Sequence, residues 1–278
     1  MSTIDEKRVH DPDTDPETAY VASDSGVATV SLVGERVGGV SLARREPARD
    51  VVTSGERVVV ATDDDVVELT NGESRKLDFG PATAVAIDDR GAVLAAGERR
   101  LARYAAGGDA ADEWRSLGQL SAGEIRAIDG DLVASSEGAY RIAGGEVRYS
   151  GLGDVSDVTS AGTPHAATSD GLYALANGWQ GVLEGAFAVV TGDPRTATPG
   201  ALGRAHAVSG DGCYEYGGER WQPRTLPTEQ SVVDVAYGAG VCAVTGDGTL
   251  LTDVGRGWRE HPVGVRGVRA IAVGGVDR

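Results

Sequence analysis

Seven times along the chain an apolar run is followed by a short turn rich in Asp, Ser or Gly, and then by a second apolar run. The clearest case is His165-Ala-Ala-Thr-Ser-Asp-Gly-Leu-Tyr-Ala-Leu175. Ala205–Tyr216, Val241–Leu251, Leu132–Tyr140 and Tyr20–Val27 match it closely, and Val58–Leu69 and Val93–Tyr104 match it more loosely. Short apolar runs bounded by such turns read as strands. Asp-Gly between two of them signals a hairpin, because glycine adopts the positive φ the turn needs. The turn positions Gly26, Asp65, Arg100, Gly138, Gly171, Gly212 and Gly248 are spaced by 39, 35, 38, 33, 41 and 36 residues. Such a period accommodates about four short strands per unit. The pattern predicts an all-β fold, a seven-bladed β-propeller. No useful 3.6-residue periodicity supports a helical solenoid, and a two-domain all-β protein would leave the even spacing unexplained.

The tryptophans share one phase. Trp114, Trp179, Trp221 and Trp258 follow their hairpin turns by 8 to 14 residues. Each is expected to open the outer strand of its blade and to cover the gap to a neighbour. Val268–Val273 resembles the innermost strand of the other units, such as Ile125–Asp129, whereas the first unit begins at its second strand, Ala19–Ala22. The last strand is therefore predicted to complete the first blade, which removes two exposed sheet edges. Residues 1–17 read as an acidic N-terminal segment, poorly ordered or packed on the surface, and residues 18–278 as a single propeller domain. The opening Met1-Ser-Thr-Ile-Asp-Glu-Lys-Arg8, the seven units and the acidic composition resemble a family of small haloarchaeal β-propellers with WD40/YVTN-like repeats. That resemblance covers the whole chain and implies a fold, not an activity.

Composition narrows the setting. The net charge is -16, with 42 acidic against 26 basic residues, and only Lys7 and Lys76 are lysine. Such a surface repels nucleic acid in the absence of a basic patch, and none is seen. Abundant carboxylate, scarce lysine and only two Phe suit molar salt, where a Debye length of about 3 Å lets crowded carboxylates coexist. Stability is expected to grow with salt. No run approaches the roughly 20 apolar residues of a membrane span, and Met1–Glu17 lacks a signal-peptide h-region. Cys213 and Cys242 lack metal or redox spacing and read as buried thiols in a reducing, cytoplasmic compartment. A monomer without membrane contact is expected.

Candidate chemistry centres on the inner strands. One position near the start of each aligns as Asp50, Thr83, Arg126, Asp157, Arg195, Asp234 and Arg269, at one mouth of the central channel and on the face of the Asp-rich turns. One reading is a ring of Asp–Arg pairs stitching neighbouring blades, for which the planar guanidinium is suited. The other is a funnel for a small polar or anionic ligand. Arg126, Arg195 and Arg269 would clamp the anion, and Asp50, Asp157 and Asp234 would orient them. The insertion at Thr198–Gly203 makes Arg195 the loosest alignment.

Other motifs fail on inspection. There is no Gly-x-Ser-x-Gly elbow, no phosphate loop and no Asp-box of the sialidase type. His10, His165, His206 and His261 lack metal-ligand spacing, and His165, His206 and His261 read as strand residues. Asp11–Asp15 lacks the glycine and glutamate of a calcium loop, and Asp63–Asp65 reads as a surface turn. No catalytic residue, metal or cofactor is expected, and the balance leans against an enzyme. The expectation is an interaction scaffold with a protein partner, and the alternative is a ligand-binding or hydrolytic propeller using the charged mouth.

Overall fold

The computed structural model describes residues 16–70, 72–104, 113–121 and 123–275, so most of the acidic N-terminal segment lies outside the described residues. Among these residues twenty-eight strands form seven four-stranded antiparallel sheets, the blades of a seven-bladed propeller. The inner strands of blades 2 to 7 are Ala48–Ser54, Ala84–Ile87, Ile125–Asp129, Val155–Thr159, Phe187–Gly192 and Val232–Tyr237. Blade 1 takes its inner strand from the C-terminus. Val268–Gly275 pairs with Glu17–Ser23 along a register running from Glu17↔Gly275 to Ser23↔Val268.

Every repeated phrase is the hairpin between the second and third strands of a blade. Its local determinant is a Ser or Thr at the end of the second strand. Ser23, Thr62, Ser135, Thr168, Ser209 and Thr245 each donate their hydroxyl to a carbonyl three or four residues on, at 2.7 to 3.4 Å. The hydroxyl oxygen in turn accepts backbone N–H groups of the same turn. Such turns satisfy backbone groups the strands leave over. Blade 3 has Gly97 at this place because a Cβ there would run into the Pro81 carbonyl, which accounts for its looser match.

Seven apolar clusters hold the molecule together, one at each seam between adjacent blades. They are built from Val, Ala and Leu, which suits flat sheets packed face to face. Trp114, Trp179 and Trp221 open the outer strands Trp114–Gln119, Trp179–Glu184 and Trp221–Arg224, and Trp258 immediately precedes Arg259–Pro262. They pack on four seams, as the phase predicted. Indole N–H groups of Trp114 and Trp179 donate to Leu77 and Ser150 carbonyls of the preceding blade, at 2.6 and 3.1 Å. Cys213 and Cys242 are buried free thiols in two seams, and burial pushes both up to about 12.

Asp65 departs from its expected place in a surface turn. It is 5% exposed, and its carboxylate gathers four backbone N–H groups. Oδ1 accepts from Val66, Phe79 and Gly80 at 2.8, 2.7 and 3.1 Å, and Oδ2 from Asp78 at 3.1 Å. This one side chain organises the crossing from blade 2 to blade 3. Asp65→Ala is expected to cost about 3 kcal/mol, because several buried donors lose a charged acceptor together. Asp64→Ala, which removes only an exposed partner of Lys76, is expected to leave the unfolding midpoint unchanged. Denaturant titration of the two variants distinguishes these outcomes.

Candidate functional site

The channel mouth is built by a bulge. In blades 2, 4, 5, 6 and 7 the inner strand slips register near its start, leaving Arg49, Arg126, Ser156, Ala188 and Val233 unpaired. In blade 1 Arg269 is skipped in the same way. A bulge places two consecutive residues where a regular strand would place one. Each of these six blades therefore offers the mouth a bulge residue or the residue after it, and blade 3, whose inner strand has no bulge, offers Thr83. Together they line a recess of about 150 Å³.

This geometry separates the aspartates from the arginines. Asp50, Asp157 and Asp234 follow the bulge, where blades 4, 6 and 1 carry Ala127, Val189 and Ala270. Arg126 and Arg269 are themselves bulge residues, one position earlier. A single alternating Asp/Arg ring is therefore not formed. Arg49, which the sequence reading passed over, is the third arginine at the mouth. Its signal was present in the sequence: it precedes Asp50 as Arg126 precedes Ala127. Arg195 lies beyond the end of its inner strand, toward the opposite face, where the Nε–Nη2 edge of its guanidinium holds the buried Asp193 carboxylate at 3.0 and 3.2 Å. The structure thus brings Asp50, Arg126, Asp157, Asp234 and Arg269 together and leaves Arg195 apart.

The three aspartates do stitch blades, through backbone rather than through arginine. One oxygen of each accepts the next N–H in its own strand, at 2.8 Å from Val51, 2.8 Å from Val158 and 2.7 Å from Val235. The other oxygen reaches across the seam, to Val85 N at 2.8 Å, Val190 N at 2.8 Å and Ile271 N at 2.7 Å. Blades 2 and 3, 5 and 6, and 7 and 1 are joined this way. Burial pushes Asp50 up to about 6 and Asp157 up to about 7, against the pull of the backbone N–H groups. Asp234 is raised well above its ordinary value by burial and by the neighbouring carboxylates.

The arginines instead hold turn carboxylates on the outer side of the mouth. Arg126 binds Asp154 at 2.8 Å, Arg269 binds Asp24 at 3.3 Å, and Arg49 binds Asp63 with two bonds of 2.6 and 2.7 Å. The Arg126 and Arg49 hydrogen bonds hold Asp154 and Asp63 below the usual carboxylate range. Thr83, the blade 3 member, donates to Ala96 and Ile125 carbonyls, each at 3.3 Å. Below the aspartates the channel widens into a cavity of about 510 Å³ whose wall includes Asp129, Thr191 and Tyr237. Among the described residues no group of three His, Cys, Asp or Glu side chains could hold a metal ion. No helix there is long and apolar enough to cross a membrane.

His165 and His206 lie in the second strands of blades 5 and 6, nearly buried, and burial lowers both, His206 to about 4. His261 lies in the outer strand of blade 7.

Comparison with known proteins agrees with this architecture. A profile of HVO_0234-like beta propellers matches residues 3–274. No curated protein sequence matches the chain. Among solved structures, the extracellular domain of BT4673 from B. thetaiotaomicron is similar with a TM-score of 0.56 at 9% identity, over 91% of this chain and 47% of that one. The chain thus spans about half the length of that structure. The Pan2 WD40 domain of Neurospora crassa gives 0.59 at 12% identity, over 81% and 82% of the two chains. The computationally designed Ika8 protein gives 0.58 at 15% identity, over 91% and 90%. At these identities the likeness is one of fold.

Proposed function

Since the chain belongs to the HVO_0234-like β-propeller family, we propose that it is a non-catalytic scaffold that binds a protein partner at its rim, in a salt-rich cytoplasm. The observation that carries this reading is the commitment of the channel-mouth charges. Both oxygens of Asp50, Asp157 and Asp234 accept inter-strand or inter-blade N–H groups, and the mouth arginines are bound by turn carboxylates. A carboxylate with both oxygens taken by backbone N–H groups is held as a structural acceptor rather than offered to a substrate.

The rim of blade 1 is the best-supported contact surface. Its outer strand, Arg36–Arg44, has nine residues, against four to six for each of the other outer strands, and carries no charge between its ends. It has no tryptophan over the seam. Val40 and Leu42, opposite the seam residues Val30 and Ala28, remain 45% and 38% exposed. Arg36 and Arg45 flank them, both exposed and without an ion-pair partner among the described residues. This arrangement fits a partner segment with one or two aliphatic side chains between carboxylates. A second copy fits poorly. Two-fold pairing of the strand would set Arg36 against Arg44 and Arg45 of its mate, within a chain of net charge -16.

The test is a photo-crosslinking residue at position 40, used at molar KCl, with position 182 as the control. The expected result is a crosslink to an acid-flanked segment of another protein, weakened about tenfold by Leu42→Glu and retained by Arg126→Ala. Crosslinks to a second copy or to residues 1–15 of the same chain would overturn the reading. So would loss of the crosslink in Arg126→Ala with Leu42→Glu unaffected.

A further inference from the structure

A cleft of about 660 Å³ lies outside the channel, between blades 5 and 6 on the face opposite the mouth. That is within the range of small-molecule sites, about 300–1,000 Å³. Its walls are His165 from blade 5, Trp221 and Tyr216 from blade 6, the aliphatic Val182 and Leu183, and Leu202 from the insertion. The insertion is a built wall. Thr196 and Ala197 donate to the Asp193 carbonyl at 3.1 and 3.0 Å, and Thr198 and Ala201 form a small bridge. Its back rests on blade 5, where Gly162 at φ +60 has no room for a Cβ beside the Ala201 carbonyl. The insertion therefore spans the seam instead of hanging from blade 6.

Two polar groups of residues lining this cleft have no partner among the described residues. His165 is 5% exposed, and its Nδ1 lies 2.7 Å from the Thr163 carbonyl. A carbonyl only accepts, so Nδ1 carries the proton and Nε2 is left as a bare acceptor. Burial lowers the His165 pKa, which keeps the ring neutral. No described residue donates to Nε2, and that atom is not fully enclosed. The Trp221 indole N–H likewise has no acceptor among the described residues, whereas Trp114 and Trp179 each donate to the blade before them. The Trp221 and His165 rings meet at 68° with centroids 5.9 Å apart, and Tyr216 lies 5.4 Å from Trp221.

The next seam shows what closes the same arrangement. There His206 Nδ1 lies 2.5 Å from the Tyr237 hydroxyl, which can donate to it. The proton then sits on Nε2, and the Trp258 ring packs nearly perpendicular to His206, at 84° with centroids 5.8 Å apart. At the blade 5–6 seam the carbonyl of Thr163 fixes the opposite tautomer, and the ring of this cleft-lining residue keeps Nε2 as an acceptor instead.

We propose that the cleft between blades 5 and 6 binds a planar nitrogen heterocycle that donates an N–H to His165 Nε2, accepts the Trp221 indole N–H and packs against Tyr216 and the aliphatic walls. The aliphatic walls supply apolar burial and the paired atoms supply orientation. The site is separate from the rim of blade 1 and from the channel mouth. Failure of either does not affect it.

Benzimidazole is the probe, since it carries one N–H donor and one ring acceptor. 1-Methylbenzimidazole, which lacks the donor, is the comparison. Saturation-transfer NMR at pH 8 is expected to show benzimidazole binding with a Kd of about 1 mM or tighter, with the His165 Nε2 nitrogen resonance shifted. The methylated probe is expected to bind about tenfold more weakly. That difference vanishes in His165→Phe. Val182→Trp, at the exposed lip where folding is undisturbed, is expected to abolish binding of both. The proposal is overturned by no binding up to about 5 mM, by equal binding of the two probes, or by binding that survives Val182→Trp.

Discussion

A chain ending at Gly267 is expected to lose its cooperative unfolding transition and to bind hydrophobic dyes. The missing segment is the inner strand of blade 1. It buries Val268, Ala270, Ile271 and Ala272 in two seams and supplies the pairing partner for the whole strand Glu17–Ser23. It also receives Asp234 from blade 7 through Ile271 N and Thr53 from blade 2, whose hydroxyl donates to the Val273 carbonyl at 2.9 Å. Its loss breaks three contacts of the ring at once and opens a hydrophobic edge toward the channel. Burial of four such side chains is worth several kcal/mol in total, about as much as the whole margin of a typical domain. Adding the peptide 265–275 in trans is expected to restore the transition. A truncated chain that melts cooperatively at the full-length midpoint would refute C-terminal closure of the ring.

The second large effect concerns the three inner aspartates and pH. Their folded-state pKa values lie above the unfolded values, with Asp50 at about 6 and Asp157 at about 7. The folded protein therefore holds more protons than the unfolded chain between roughly pH 4 and 7. Their contribution to stability is fully present below the unfolded pKa and is lost as pH rises through the folded one. Acidifying from pH 8 to 6 should thus stabilise the ring by about 2 kcal/mol. His206, lowered to about 4, works in the other direction. Its contribution is lost as pH falls from the unfolded value toward 4, so the gain levels off below about pH 6. Asp157→Asn removes one of these proton uptakes while leaving one carbonyl acceptor. Its thermal midpoint should rise less between pH 8 and 6 than that of the unaltered chain. Identical pH profiles for the two proteins would show that Asp157 does not titrate in this range.

The mouth residues were legible in the sequence only in part. Asp50, Asp157 and Asp234 were picked out because they begin apolar inner strands, and the structure places all three at one level of the channel. The arginines were placed in the same register because nothing in Ile125-Arg-Ala-Ile reveals a bulge. A bulge depends on how one strand meets its partner. Arg195 was drawn into the set because its blade carries an insertion, and counting along the chain cannot tell an inner-strand residue from the first residues beyond it. The stitching partners of the aspartates are backbone N–H groups, which every non-proline residue possesses. No side-chain pattern could have marked Val85, Val190 or Ile271 as the acceptors' mates. Asp65 was misplaced for a related reason, since the four N–H groups it gathers come from its own turn and from the crossing to the next blade.

Taken alone, the order of residues decided the blade count, the position of each hairpin, the phase of the tryptophans and the closure by the last strand. The first three follow from interactions local in the chain, namely alternation, tight turns and glycine at positive φ, repeated often enough to be read, and closure follows from the last strand repeating the inner-strand pattern that the first unit lacks. Tertiary structure alone decided which charges face one another at the channel mouth. It also decided that the aspartates bind backbone across the seams and that His165 and Trp221, 56 positions apart in the chain, share one cleft. Those facts depend on how one blade sits against the next. That placement is fixed by the packing of Val, Ala and Leu in the seams, which is nearly the same in every blade and so carries no local mark of its neighbours.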